Sequence, residues 1–183
     1  MRNSEFTMTK EHEILLFPIF KIMMEQIKLV KEEEYLRVKL AHTDDFNLAE
    51  LYKCFSTKNK SFLNQEEFID GCKVFGLKSK HKSNFINVYN RYKRSDDKLT
   101  FKKFSDIFLA HDTKLSLRIS ERMPLKFTKF PSDKTQVFEH ETNLIIGELL
   151  FKLVQVEKQL IDLQKQAIYP KMPHDIRLIF KLL

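Results

Sequence analysis

Histidines, cysteines and clustered acids are the first places to look for chemistry in this 183-residue chain. His12, His42, His81, His111, His140 and His174 are scattered. No two stand at a metal-binding helical spacing, and Cys54 and Cys72 do not complete a zinc set. Neither cysteine has a marked base beside it, and no serine sits in a nucleophile elbow, so covalent catalysis lacks a nucleophile. Gly71 and Gly76 in "DGCKVFGLK" are not followed by the Gly-Lys-Ser/Thr that cradles a phosphate. Glu32 to Glu34, in "KEEEY", lie between basic residues and read as a solvated helix face. The expectation is a protein that is not an enzyme and holds no cofactor.

The stretch "KSKHKSNFINVYNRYKR" interleaves cations with aromatic rings, as a nucleic-acid groove or an acidic-protein contact requires. Lys78, Lys80, Lys82, Arg91, Lys93 and Arg94 are its candidate binding residues. Against a nucleic-acid role, Phe85, Val88, Tyr89 and Tyr92 fall at helical spacing and are better placed as core. A formal charge of +7 favours acidic partners. Two isolated cysteines fit a reducing, cytoplasmic compartment. Neither a signal peptide nor a membrane-spanning run is read: "ILLFPIF" is too short and contains Pro18.

The elements that position these residues read as helices, because three glycines and five prolines are too few for a many-stranded fold. A long helix is expected from Pro18, in its first turn, to about Ala41, with Leu16, Phe20, Met23, Ile27 and Val30 forming a seam that Glu34 breaks. Asn47 and Asn64 are expected as helix caps, each with a glutamate three residues on, and Gly76 as a helix stop. Phe46 is placed to staple against Leu51. Ser83 and Thr100 are expected to cap two further helices. Residues 113–132 read as a linker, with a short helix possible through "LSLRIS". A second long helix is expected from after Ser132 to about Ile168. Ile146, Leu149, Leu153, Val156, Leu160, Leu163 and Ala167 keep a heptad-like rhythm there, a stripe that seeks another helix. A shift of 126 residues lays Phe20, Met23, Ile27 and Val30 onto Ile146, Leu149, Leu153 and Val156. The long helix therefore reads as a repeated element.

Helix, loop with a central apolar residue, helix occurs twice between residues 45 and 110. The outlines "FSTKNKSFLNQEEF" and "YKRSDDKLTFKKF" each set an aromatic residue on either side of a loop, with Leu63 and Leu99 central. In these features the chain resembles the EF-hand superfamily that includes calmodulin and centrin. The order of long helix, "DFNLAELYKCF", "FSDIFLA", "ERMPL" and "YPKMPHDIRLIF" is similar to that of EF-hand proteins abundant in ciliates. That resemblance implies calcium ligands at loop positions 1, 3, 5, 7, 9 and 12, with glycine at 6. In the first loop those seats hold Ser56, Lys58, Lys60, Phe62, Asn64 and Glu67, with Ser61 in the glycine place. In the second, Lys93, Ser95 and Asp97 stand at 1, 3 and 5, the glycine is deleted and Lys103 replaces the final glutamate. An ammonium group donates and cannot accept, so it neither coordinates a cation nor tolerates one close by. Metal-free loops are the expectation, with Leu63 and Leu99 pairing as a short β-bridge regardless.

The sequence thus divides into an N-terminal long helix (1–44), a degenerate EF-hand pair (45–112), a linker (113–132) and a second long helix leading into an incomplete hand (133–183). The class is all-α. The expected function is a calcium-independent structural or adaptor protein with protein partners in a multi-subunit assembly. By resemblance, that assembly is the ciliary axoneme or another cytoskeletal structure, with acidic tubulin among the partners. A light-chain-like subunit gripping a partner helix is the alternative, with a basic nucleic-acid-binding module built on Lys78 to Arg94 a weaker one.

Overall fold

The computed structural model describes residues 10–56, 61–78, 82–123 and 130–168, and within them the side chains of 10–19, 22 and 163–168 are left aside. Helices dominate: α1 (Lys10–His42), α2 (Leu48–Phe55), α3 (Gln65–Val74), α4 (Lys82–Tyr92), α5 (Phe101–Phe108), α6 (Thr113–Ser120) and α7 (His140–Ile168). Two residue pairs, β1 (Phe62–Leu63) and β2 (Leu99–Thr100), form an antiparallel ladder with Phe62 opposite Thr100 and Leu63 opposite Leu99. No described helix is long and apolar enough to cross a membrane.

Local signals set most of these boundaries. Asn47 accepts from the backbone N–H of Ala49 (2.9 Å) and Glu50 (3.2 Å), opening α2. Glu50 does not answer with a capping box; its fully buried carboxylate takes Lys53 Nζ at 3.0 Å. The box does form at α3, where Asn64 Oδ1 accepts from Glu67 N (2.8 Å) and Glu67 Oε2 accepts from Asn64 N (3.0 Å). Helix α3 ends in a left-handed Gly76 (φ 85°), with Leu77 N bonded to Cys72 O and Gly76 N to Lys73 O. A side chain there would be strained, which is why glycine stops this helix.

Several boundaries differ from the sequence reading. Pro18 lies inside α1, not in its first turn. Ser83 lies within α4, whereas Thr100 does stand at the cap position of α5 but makes no side-chain cap bond. Residues 113–120 are helix, capped by Asp112, so the linker expected over 113–132 begins with an ordered element that buries Ile119. After it, Arg122 donates to the carbonyls of Ala41, Thr43 and Phe46 at 2.6–2.7 Å, satisfying the C-terminal end of α1 and the turn beyond it. Asn47 Nδ2 returns the contact to Arg122 O and Met123 O. The second long helix starts at His140, after a 3-10 turn at Lys134–Gln136 that drops Val137 and Phe138 into the core. Its start is fixed from afar: Asp45 accepts from Glu139 N (2.6 Å) and Thr142 Oγ1 (2.5 Å). A carboxylate at a helix N-terminus is stabilising.

Helix α7 packs most extensively on α1 and then on α4. It runs antiparallel to α1, since Lys152 meets Glu32 at 2.7 Å while Thr142 meets Asp45 beyond the end of α1. Leu36 and Leu40 of α1, the apolar faces of α2 to α5, and Ile146 to Val154 of α7 share one apolar cluster. Phenylalanine fills its centre: Phe55 meets Phe104 edge-on at 5.0 Å and stacks on Phe75 at 5.8 Å, and Phe68 lies 5.9 Å from Tyr89. Phe46 and Leu51, the staple pair of the sequence reading, are both fully buried in this cluster.

Candidate functional site

The two loops meet at the β1–β2 ladder, with Leu63 and Leu99 fully buried beneath it. Tyr89 of α4 ties them together: its hydroxyl donates to Asp97 O (2.7 Å) and lies 3.2 Å from Leu63 O. Burial, with Asp97 and Asp96 nearby, pushes that phenol up to about 12. One side chain therefore holds both loops at a fixed spacing.

In the second loop the first and fifth of the expected ligand seats are engaged with each other. Lys93 Nζ sits 2.6 Å from Asp97 Oδ1, so a cation from the chain lies against the carboxylate of the fifth seat. Asp97 itself has φ 58°, and its N–H bonds Arg94 O at 3.1 Å. Aspartate tolerates this left-handed turn better than most residues, which lets the loop close without a glycine. Ser95 is exposed, and Lys103 pairs with Asp106 at 3.3 Å. In the first loop Ser56 is buried, Asn64 caps α3, and Glu67 is held in the capping box. Lys58 and Lys60 lie outside the described residues. Among the described residues no group of three or more His, Cys, Asp or Glu is placed to hold a metal ion.

The basic stretch is dispersed by the fold. Phe85, Val88 and Tyr89 are buried and Tyr92 is half-buried, so these rings offer no stacking platform. Arg91 is committed to Glu157 of α7 at 2.8 Å, and Lys93 to Asp97. Lys78, Lys82 and Arg94 remain exposed, and Lys80 falls outside the described residues. Arg91 and Lys93 thus each hold an ion pair within the chain while keeping part of their side chains exposed.

The apolar stripe of α7, expected to seek another helix, packs chiefly on α1 and α4 of its own chain. Ile146, Leu149, Leu153 and Val156 are buried against their own chain, and Leu160 is half-buried. The side chains of Leu163 and Ala167 fall outside the described residues, as do that of Leu16 and residues 169–183, where an incomplete hand is expected. The matching stripe of α1 is the exposed one: Phe20, Met23, Ile27 and Val30 all face outward.

Sequence reasoning missed a buried polar clasp where α1, α4, α5 and α7 converge. Arg37 pairs with Glu33 at 3.2 Å and donates Nε to Ile107 O at 3.0 Å. Both side chains are almost wholly buried, and burial raises the Glu33 carboxyl above its ordinary value despite the Arg37 charge. The i, i+4 spacing of Glu33 and Arg37 was visible, but not the burial that sets its worth. Glu34, read as the break in the seam, accepts His111 N–H at 2.7 Å. The cysteine thiols are buried and raised, Cys54 to about 12, which suits inert packing groups. A surface groove of about 940 Å³ runs between the end of α3 and the start of α7, lined by Val74, Phe75, Leu77, Phe138, Leu144 and Phe151.

Comparison with known proteins finds no match to any family model, curated protein or solved structure.

Proposed function

We propose that residues 45–110 are a degenerate EF-hand pair and that the chain is a calcium-independent, non-catalytic adaptor docking within a larger assembly. The observation carrying this reading is the Lys93–Asp97 contact at 2.6 Å. A carboxylate that a metal would need is neutralised by an ammonium group fixed to the same loop, and a divalent ion entering there meets a like charge. The antiparallel pairing of Leu63 with Leu99 supports kinship to paired EF-hand loops. With α7 and α1 packed into the same core as the pair, the loops serve as a brace between helices.

The ciliary axoneme, with acidic tubulin surfaces as partners, is the location we propose. It rests on the resemblance of the element order and on the +7 charge. The second reading, a light-chain-like grip on a partner helix, is favoured by the apolar groove beside Phe75 and Phe151. Thermal melts in about 2 mM calcium and in chelator test the main reading. A ligand at about 100 times its Kd stabilises by ~2.7 kcal/mol, so a live site raises the melting temperature visibly. Coincident melts are expected, and a calcium-dependent rise overturns the proposal.

A further inference from the structure

Helix α1 carries an apolar face that the described chain does not cover. Phe20 is 50% exposed, Met24 65%, Ile27 46% and Tyr35 62%, with Met23 and Val30 beside them. At 1.5 Å per residue, Phe20 to Tyr35 spans about 22 Å, or four turns. At helical spacing Phe20, Met24 and Ile27 fall on the side away from the buried Leu36 and Leu40, and Met23 and Val30 lie between them and the side of buried Arg37. A contiguous exposed stripe of this length is costly to leave in water and marks a contact surface.

Two further observations say what covers it. The 126-residue correspondence pairs Phe20, Met23, Ile27 and Val30 with Ile146, Leu149, Leu153 and Val156, and that second set is buried in helix-on-helix packing. The α1 stripe has the same spacing, so it fits a helix. Its border is basic on balance: Lys21, Lys28 and Lys31 are exposed along it with Glu25 the exposed acid between the first two, while the nearby Glu32 carboxylate is taken by Lys152 at 2.7 Å. We infer that this face of α1 docks an amphipathic helix of another protein, about four turns long, with acidic residues along the edge that meets Lys28 and Lys31. A second copy of this chain fits poorly, since it would bring lysines against lysines and +7 against +7. The inference rests on the adaptor reading and names its docking surface.

The test uses two labelled synthetic peptides of about 21 residues, leucine at a and d positions with either glutamate or lysine flanking them, and fluorescence anisotropy against the full chain. The acidic peptide is expected to bind and the basic one to bind at least tenfold more weakly. Met24→Asp with Ile27→Asp should abolish binding. Lys28→Glu with Lys31→Glu should invert the peptide preference, by about tenfold for two exposed pairs reversed. All four side chains are exposed, so a native far-UV spectrum is expected for both variants. Failure of the acidic peptide to bind, equal binding of the two peptides, or insensitivity to the Met24 and Ile27 changes overturns the inference. So does binding to anionic phosphatidylserine vesicles through the same residues, or self-association by sedimentation lost in the same variants. Calcium-insensitive melts together with indifference to both peptides would overturn the docking surface and leave the metal-free reading standing.

Discussion

Replacing Arg37 by methionine removes the cation of the buried clasp while keeping most of its packing volume. Glu33 then loses its 3.2 Å partner in a site where it is almost wholly excluded from water, and Ile107 O loses its 3.0 Å donor. Breaking a buried pair by deleting one partner costs about 3–5 kcal/mol, a large share of the ~5–15 kcal/mol by which proteins of this kind are stable. Adding Glu33→Leu removes the stranded charge, and most of the loss should return, leaving about 1 kcal/mol for the unpaired carbonyl. The pH dependence has a definite sign. The folded-state value of Glu33 is raised above its ordinary 4.5, chiefly by burial, so the native state holds a proton the unfolded chain has already lost. Stability from this group therefore falls as pH rises from 4.5 through the raised value. Without Arg37, which lowers it, the value climbs further. The Arg37→Met deficit is then greatest at neutral pH and shrinks toward pH 4.5. Urea denaturation followed by circular dichroism at both pH values, on the parent, the single variant and the double, measures all of this. A single-variant loss under about 1 kcal/mol, no recovery in the double, or an equal deficit at both pH values would refute the clasp.

The joint between α3 and α7 and the joint between the loops are each open to one substitution. A Cβ added at Gly147 would stand 2.6 Å from the Phe75 carbonyl oxygen, a backbone atom that cannot swing aside. Gly147→Ala should cost about 1–3 kcal/mol in chemical denaturation, whereas a neutral or stabilising result would mean α7 is not seated on the end of α3. Tyr89→Phe strips the hydroxyl from the Asp97 and Leu63 carbonyls while leaving the ring in place. A loss of about 1–2 kcal/mol is expected, with faster amide exchange at Leu63 and Leu99, and unchanged exchange there would mean the hydroxyl does not hold the loops.

What could be read from sequence was whatever neighbours within a few residues decide. Asn64 and Glu67 form their box because both partners are three apart, and Gly76 stops α3 because glycine alone takes that turn freely. Leu63 and Leu99 were legible as a pair from their central place in two similar loops, and they do face each other. Contacts across the fold were not legible. Nothing near His140 announces that its helix begins there, because Asp45 caps it from 94 residues away. Arg122 reads as a surface cation until the Ala41, Thr43 and Phe46 carbonyls are seen around it. Periodicity marked stripes on α1 and α7 but was silent on which faces inward, since both have the same spacing and apolarity, and it gave no hint that α1 buries Leu36 and Leu40 instead. Asp97 hid its role as well: nothing in the sequence around it gives a sign that it takes the left-handed turn of its loop.

Isothermal titration of calcium into the full chain, beside the variant Lys58→Asp, Lys60→Asp, Ser61→Gly that returns ligands and glycine to the first loop, is the most direct measurement. If cations in the coordinating seats are what exclude the metal, the parent gives only heat of dilution and the variant binds one ion. Micromolar binding by the parent, with unit stoichiometry, would contradict the exclusion outright.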